Sequence, residues 1–272
     1  MPDIAAFPRH LSDLATVPLL SVVVPVRNEG DSILPLISEI RAALSGIDYE
    51  IIYVDDGSTD RTGSRLSDAV TSGAPLRHLR HVRTFGQSAA ICTGVRAAAG
   101  GWIATLDGDG QNDPADILPL WEQAFRLDRE RPGPVLVTGE RTVRQDRLVK
   151  RLSSRFANAF RAWALDDGTA DTGCGLKIFR REAFLDLPQF DHMHRFLPAL
   201  FLRAGGRVLS VPVTHRPRLR GHSHYGTFDR LWAGLFDLAG VFWLQRRALR
   251  AVAEEVGGRR SSFRDSPYRN PS

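Results

Sequence analysis

The residue types best suited to chemistry lie in the string L-D-G-D-G-Q at 106–111, directly after an apolar run. Asp107, Asp109 and Gln111 stand at alternate positions, so in extended backbone their side chains project to the same side. Two carboxylates and an amide oxygen form a hard ligand set, which suits Mg²⁺ or Mn²⁺ rather than zinc. The string predicts a divalent ion that neutralises a diphosphate. An acidic Asp-Gly turn is the alternative.

Two further strand-like runs also end in polar loops. Residues 19–26 lead into R-N-E-G at 27–30, and residues 49–54 lead into D-D-G-S-T-D at 55–60. In an open α/β sheet the carboxyl ends of the parallel strands share one edge, where ligands bind. The loops therefore predict a ligand site at that edge, although D-D-G-S-T-D is also typical of a structural turn with a helix cap.

The rest of the chain supplies the elements that position these loops. Strands alternate with helices from residue 19 to about 137, which predicts an α/β domain with a mainly parallel sheet flanked by helices. Beyond Thr138 the pattern predicts, in order, a basic helix, a short strand at 177–179, a helix near 194–204 and a strand at 208–213.

Composition indicates a globular protein with reduced thiols. The chain has 272 residues, of which 43% are hydrophobic and 25% are charged. Cys92 and Cys174 lack the spacing of a disulfide or metal site. The N-terminus lacks the pattern of a signal peptide, and no stretch reaches the roughly 18 apolar residues of a membrane span. We therefore expect a cytoplasmic protein.

The positive charge is clustered. The net charge is +5, and the surplus of arginine lies at 140–161 and 216–250. Such patches suit phosphorylated substrates or an anionic membrane surface, or form a solvated basic face. Nucleic acid is not predicted as a partner, because no recognised binding motif accompanies the charge.

Taken together, the motifs resemble the family 2 glycosyltransferases of the GT-A fold, and within them the dolichol-phosphate mannose synthase-like, polyprenyl-phosphate branch. The resemblance runs in family order over residues 20 to about 226. It is carried by V-V-V-P-V-R-N-E at 22–29, Y-E-I-I-Y-V-D-D-G-S-T-D-R-T at 49–62, F-G-Q-S-A-A at 85–90, D-G-D-G-Q at 107–111, G-E-R at 139–141 and R-G-H-S-H-Y-G at 220–226.

The resemblance implies an inverting transfer of a sugar from a nucleotide-diphosphate sugar donor to a polyprenyl or other lipid phosphate, with Mg²⁺ or Mn²⁺ as cofactor. The expected place is peripheral, at the cytoplasmic face of the membrane. A lipid or glycan hydroxyl acceptor, or a non-catalytic GT-A binding module, are the alternatives. The expected division is an N-terminal arm at 1–18, a catalytic domain at 19–226, an amphipathic helical segment at 227–256 and a disordered tail at 257–272.

The resemblance also assigns residues to roles. For the nucleotide sugar it implies Pro25, Val26, Asn28, Glu29, Val54, Asp56, Asp107 and Gly108. For the metal it implies Asp107, Asp109 and Gln111, and for catalysis Asp109, Arg141, Arg195, Arg218 and His224. His224 stands where the family's motif usually has lysine. The candidates for the acceptor phosphate are Lys150, Arg151 and Arg155.

The lack of a general base at the expected position favours a phosphate as the acceptor. Relatives with hydroxyl acceptors often carry Glu-Asp where this chain has D-H-M-H-R-F at 191–196. A lipid phosphate is already ionised and needs no general base. Asp171 is the fallback base or a loop-bracing carboxylate. Amphipathic stretches at 148–163 and 228–249 suit a membrane interface, core packing or a homodimer face.

Overall fold

The computed structural model describes residues 19–141, 165, 168–169, 171–217 and 227–247, with only the backbone of 227–235. In these ranges the strands form one seven-stranded sheet in the order β3-β2-β1-β4-β6-β5-β7. The strands are β1 (Leu20–Val26), β2 (Tyr49–Asp55), β3 (Leu76–Arg80), β4 (Trp102–Thr105), β5 (Val135–Arg141), β6 (Lys177–Arg180) and β7 (Arg207–Val213).

The sheet is mainly parallel, which confirms the predicted fold class. Strand β1 lies between β2 and β4 and is parallel to both. Strands β2 and β3, and β5 and β7, also pair in parallel. Strand β6 runs antiparallel between β4 and β5. The loops that follow β1, β2 and β4 therefore meet at one edge of the sheet, and the loop that precedes β6 joins them there.

Helices cover both faces of this sheet. They are α1 (Ile33–Ala43), α2 (Thr62–Thr71), α3 (Gln87–Ala97), α4 (Ile117–Glu130), α5 (Arg181–Leu185), α6 (Leu197–Arg203) and α7 (Thr227–Arg246). Helices α1, α2 and α4 share one buried apolar cluster with alternate residues of the strands. Helices α3, α5, α6 and α7 contribute to the cluster on the opposite face. Successive strand residues such as Val22 and Val23 belong to different clusters because side chains alternate along a strand.

Local features move some element boundaries. The helix expected near 194–204 is divided into a 3₁₀ turn at Met193–Arg195 and helix α6, with His192 in the left-handed backbone region at φ 62°. Helix α3 ends at Ala97 because Ala98 is extended. Cys92 and Cys174 are buried free thiols. Among the helices of the described ranges, none has the length and apolarity needed to cross a membrane. The basic helix and the stretch at 148–163 fall largely outside those ranges.

Candidate active site

The loops after β1 and β2 are joined by hydrogen bonds. The backbone N–H of Asn28 donates to Ser58 Oγ at 3.0 Å, and the N–H of Thr59 donates to Asn28 Oδ1 at 2.9 Å. Asn28 holds a left-handed backbone, with φ 56°. These loops line a surface cavity of about 510 Å³ that includes Asn28, Glu29 and Arg61. The predicted convergence at the sheet edge is confirmed for this pair of loops, and the cavity is large enough for a small ligand.

The loop after β4 packs directly against the end of β1. A Cβ at Gly108 would lie 2.2 Å from Val26 Cγ1 and 3.2 Å from the carbonyl oxygen of Pro25. Any larger residue would therefore push the two loops apart. The side chains of Val26 and Val54 are buried in the core. Only their backbone groups could therefore make the predicted contact with a ligand.

The two loop aspartates lie in contrasting surroundings. Gln87 Nε2 donates to Asp107 Oδ1 at 2.8 Å, and the backbone N–H of Gln111 donates to Asp109 Oδ1 at 3.1 Å. Burial, followed by the negative charge of Asp109, raises the pKa of Asp107 to about 6. Burial and the charge of Asp109 both disfavour the ionised form of Asp107.

The floor beneath Asp107 is the loop before β6. Thr105 Oγ1 donates to the carbonyl oxygen of Gly175 at 2.7 Å. A Cβ at Gly175 would lie 2.2 Å from Asp107 Cγ. Lys177, which is 4% exposed, donates through Nζ to the carbonyl oxygens of Thr172 and Cys174. Burial lowers the pKa of Lys177, and the charge of Asp107 partly offsets this effect.

This packing makes Gly175 a sensitive position. We expect Gly175→Ala to lower the free energy of unfolding by about 1–3 kcal/mol, because the added methyl group must displace the Asp107 carboxylate or the loop itself. Gly240→Ala is the control, since a Cβ at Gly240 in α7 meets nothing within 4 Å. Urea denaturation compares the two variants. Equal stability of both would contradict the close approach at Gly175.

Arg141 and Asp171 form a two-point ion pair at the end of β5. Arg141 Nε donates to Asp171 Oδ2 at 2.7 Å, and its terminal nitrogen donates to Oδ1 at 2.8 Å. The backbone N–H groups of Arg141 and Gly173 donate to the same carboxylate. The Asp171 side chain is 4% exposed and that of Arg141 is 23% exposed. Both carboxylate oxygens are therefore occupied, and the geometry matches the loop-bracing role rather than a general base.

The residues after β7 close the site from the other side. Gln111 Nε2 lies 3.4 Å from the carbonyl oxygen of Arg216 and 3.5 Å from His215 Nε2. Arg216 pairs with Glu39 at 2.8 Å and also with Asp113. Arg216 belongs to the basic patch predicted at 216–250, but its positive charge is paired with two carboxylates of the same chain.

Asp56 is surrounded by donors from the loop after β3. The backbone N–H of Phe85 and the ring Nδ1 of His81 donate to Oδ1, at 2.8 and 2.7 Å. The backbone N–H of Gly86 and the hydroxyl of Thr84 donate to Oδ2, at 2.9 and 2.8 Å. The carboxylate thus fixes the 81–86 loop at the start of α3. Contact between Asp56 and a nucleobase stays a prediction.

Comparison with known proteins now adds to this geometry. The profile of the family described as Glycosyl transferase family 2 matches residues 21–187, which include the loops after β1, β2 and β4 and the floor beneath Asp107. The chain belongs to this family. It is therefore a glycosyltransferase, as the motifs implied.

Two bacterial relatives are similar to this chain over most of its length. A dodecaprenyl-phosphate galacturonate synthase from Rhizobium johnstonii is 36% identical over 233 residues, which cover 84% of this chain and 67% of the relative. An undecaprenyl-phosphate 4-deoxy-4-formamido-L-arabinose transferase from Edwardsiella ictaluri is 33% identical over 246 residues, which cover 89% of this chain and 73% of the relative.

Solved structures support the GT-A fold. Glucosyl-3-phosphoglycerate synthase from Mycobacterium tuberculosis, crystallised with Mg²⁺ and uridine diphosphate, superimposes with a TM-score of 0.62 at 20% identity, covering 84% of this chain and 79% of that one. The complex of the same enzyme with Mn²⁺, uridine diphosphate and glucosyl-3-phosphoglycerate gives a TM-score of 0.60 at 21% identity, covering 84% and 80%.

Several residues implied for the glycosyltransferase site lie outside the described ranges. Of the basic groups, Arg195 is exposed on its 3₁₀ turn and Arg141 is paired. The residues outside the described ranges are Arg218, His224, Lys150, Arg151 and Arg155. Their roles stay predictions.

The structure also adds residues to which no role was assigned from the sequence. Gln87 lies in the F-G-Q motif, which was a usable signal, and it contacts Asp107. Lys177 stands in a strand that is otherwise mainly apolar, where a buried charge is unusual. His81, the first residue of the 81–86 loop, contacts Asp56, and no sequence motif indicated this contact.

Proposed function

We propose that the chain is a metal-dependent inverting glycosyltransferase that moves a sugar from a nucleotide-diphosphate sugar to a polyprenyl phosphate. The observation that carries the proposal is the position of Asp107 and Asp109 at the carboxyl edge of the sheet, where Gln87 and the loop before β6 contact Asp107 and the backbone N–H of Gln111 donates to Asp109. The names of the bacterial relatives, at 33–36% identity, support the acceptor class.

The donor set fits a divalent cation. Within the described residues no group of three or more His, Cys, Asp and Glu side chains could hold a metal. The proposed ligands are the carboxylates of Asp107 and Asp109 and the amide oxygen of Gln111, a sparse set that suits Mg²⁺ or Mn²⁺. Burial and the negative charge of Asp109 raise the pKa of Asp107, and a bound cation would favour the ionised carboxylate. When bound, the ion stabilises the departing nucleoside diphosphate.

Residues of the chain supply the rest of the donor site. Asn28 and Glu29 line the cavity between the first two loops, and the Glu29 carboxylate is suited to accept hydrogen bonds from ribose hydroxyls. Arg141, held by Asp171, offers a fixed guanidinium for the developing charge of the diphosphate. Because the pair fixes the orientation of the guanidinium, little reorganisation is needed during transfer.

The state of Asp171 supports a phosphate acceptor over a hydroxyl acceptor. A hydroxyl needs a base within hydrogen-bond reach, whereas a phosphate is ionised at neutral pH. Asp171 is engaged at both oxygens by Arg141 and does not offer a base. A phosphate acceptor needs positively charged side chains to bind it. Arg195 is a candidate within the described ranges. The predicted candidates Lys150, Arg151 and Arg155 lie outside those ranges.

The test is a panel assay with the pure protein. Each of several nucleotide sugars is incubated with Mn²⁺ and a short-chain polyprenyl phosphate, and parallel reactions contain the matching polyprenol or no lipid. Product with the phosphate and none with the polyprenol supports the proposal. Product with the alcohol favours the hydroxyl acceptor. Nucleotide binding without turnover on any acceptor favours a non-catalytic binding module.

We further propose peripheral membrane binding at the cytoplasmic face, where the buried thiols stay reduced. Helix α7 exposes Phe236 and Trp243, at 74% and 59%, and ends at the exposed Arg246 and Arg247. Exposed aromatics next to arginines are typical of helices that lie in a membrane interface. A second copy of the chain covering the same aromatics, as a homodimer, is the alternative.

We expect the protein to bind anionic vesicles at low salt and to dissociate as salt rises, because surface charges are screened over about 8–10 Å at physiological ionic strength. Co-sedimentation across a salt series measures this, with Phe236→Ser and Trp243→Ser together as the variant and neutral vesicles as the control. A failure of wild type to bind at any salt, with a dimer seen in analytical ultracentrifugation, would favour the homodimer.

A further inference from the structure

The start of helix α3 makes an unusual pair of contacts with the turn that carries Arg195. Ser88 is 3% exposed, and its Oγ lies 2.7 Å from the Nδ1 atom of His194. The backbone N–H of His194 donates to the same Oγ at 3.3 Å. The hydroxyl oxygen of Ser88 is thus shared by the ring and the backbone of His194, and both bonds join residues 106 positions apart in the chain.

His194 is in its neutral form at physiological pH. Burial and the positive charges of Arg195 and Lys177 lower the pKa of His194 to about 3. With its proton on Nε2, the neutral ring accepts the hydroxyl proton of Ser88 at Nδ1. A histidine in this state neither accepts nor donates a proton at neutral pH, so its contribution is geometric.

The same helix turn also holds the other half of the site. Gln87, the residue before Ser88, donates to Asp107 Oδ1 at 2.8 Å. Met193, the residue before His194, is buried with its Sδ 3.8 Å from Cys92 Sγ in α3. Two successive residues of α3 thus reach the metal-ligand candidate on one side and the turn at Met193–Arg195 on the other.

We propose that Ser88 and His194 are positioning residues that hold the 191–196 segment, and with it Arg195, in place for the acceptor phosphate. This inference rests on the proposed transfer to a polyprenyl phosphate. Gln87 extends the connection to Asp107, so donor and acceptor groups are placed by one rigid helix end. Neither Ser88 nor His194 touches a reacting atom.

The test compares Ser88→Ala, His194→Leu and His194→Asn in the full chain. Loss of the Ser88 hydroxyl or of the ring raises KM for a short-chain polyprenyl phosphate by about five- to tenfold, the factor that corresponds to one net hydrogen bond. His194→Asn retains an acceptor oxygen close to the Nδ1 position and keeps KM within about twofold of wild type. The Ser88→Ala/His194→Leu double variant is no worse than either single variant, because both remove the same contact.

Ser21→Ala is the matched control. Ser21 Oγ also accepts a backbone N–H, from Gly100 at 2.9 Å, and donates to a side chain, Glu50 Oε1 at 2.6 Å. This serine is 0% exposed and lies in β1, away from the carboxyl edge. We expect Ser21→Ala to lower stability as Ser88→Ala does and to leave KM for the acceptor unchanged. The affinity for Mn²⁺ with a nucleoside diphosphate, measured by calorimetry, stays at the wild-type value in every variant.

Hydrogen exchange without substrate provides an independent readout. Faster exchange of the amides at 191–196 in Ser88→Ala, and not in Ser21→Ala, supports the positioning role. Equal KM values for the two serine variants, or a donor affinity that falls as much as acceptor affinity, would overturn it. If wild type transfers to no polyprenyl phosphate, the proposed function fails, and the exchange comparison alone decides whether the pair positions the segment.

Discussion

Replacing Asp109 with alanine is expected to lower sugar transfer by about 10³-fold or more and to remove its dependence on a divalent ion. The change removes one of two carboxylates from a loop, not a side chain from either apolar cluster. The contacts of Asp109 include a local hydrogen bond from the backbone N–H of Gln111, at 3.1 Å. We therefore expect a loss in the free energy of unfolding of only about 1 kcal/mol.

The measurement combines three readouts on Asp109→Ala. Transfer is followed with and without a chelator, Mn²⁺ binding is followed by calorimetry, and thermal unfolding is followed by circular dichroism. Asp68→Ala is the control, because it removes an exposed carboxylate from α2. Mn²⁺ affinity should fall in Asp109→Ala and not in Asp68→Ala. Full activity of both wild type and Asp109→Ala in the presence of chelator would refute the metal assignment.

The positions of Asp107 and Asp109 could be predicted because they depend on local spacing and on one rule of parallel sheets. Strands β1, β2 and β4 are parallel neighbours, so the polar loops after them had to share an edge. The aspartates in these loops showed that this edge carries negative charge. Asp171 was predicted as either a fallback base or a loop-bracing carboxylate, and its contacts with Arg141 match the brace.

The contacts that hold these aspartates could not be predicted, because they depend on strand order. Strand β6 enters the sheet antiparallel between β4 and β5, and this brings Gly175 and Lys177 beneath Asp107. The pairing of Arg141 with Asp171 spans 30 positions, and that of Ser88 with His194 spans 106. The hydrophobic periodicity of a sequence does not show which residues so far apart in the chain come into contact. Asp56 shows the complementary case, since its place at the edge was predicted and its four donors were not.

Replacing Asp171 with asparagine is expected to cost about 2–3 kcal/mol of stability and to lower kcat by about 10²-fold. Breaking a buried pair usually costs about 3–5 kcal/mol, and the partial exposure of Arg141 reduces that figure. Asparagine has one acceptor oxygen and no charge, so it cannot receive both guanidinium nitrogens. Arg141 then loses its fixed orientation next to the buried charge of Lys177, and the stabilisation of the leaving diphosphate falls.

The control for Asp171→Asn is Asp128→Asn. Asp128 pairs with Arg180 at 2.5 Å, at the end of β6 that lies next to the start of β4, on the opposite edge of the sheet. Both side chains of that pair are more exposed than Asp171, so we expect a stability loss below about 1 kcal/mol. Transfer is measured at a temperature where all variants are folded, and stability is measured by urea denaturation. Asp128→Asn should keep the wild-type kcat.

Arg141→Lys separates the positioning role of Asp171 from that of a general base. Lysine keeps the positive charge but cannot make the two-point contact, so we expect a loss of kcat close to that of Asp171→Asn. If Asp171 were the base, Asp171→Asn would be far less active than Arg141→Lys, because the lysine variant would still hold the carboxylate. That outcome would also return the hydroxyl acceptor to first place, since a base is needed for a hydroxyl and not for an ionised phosphate.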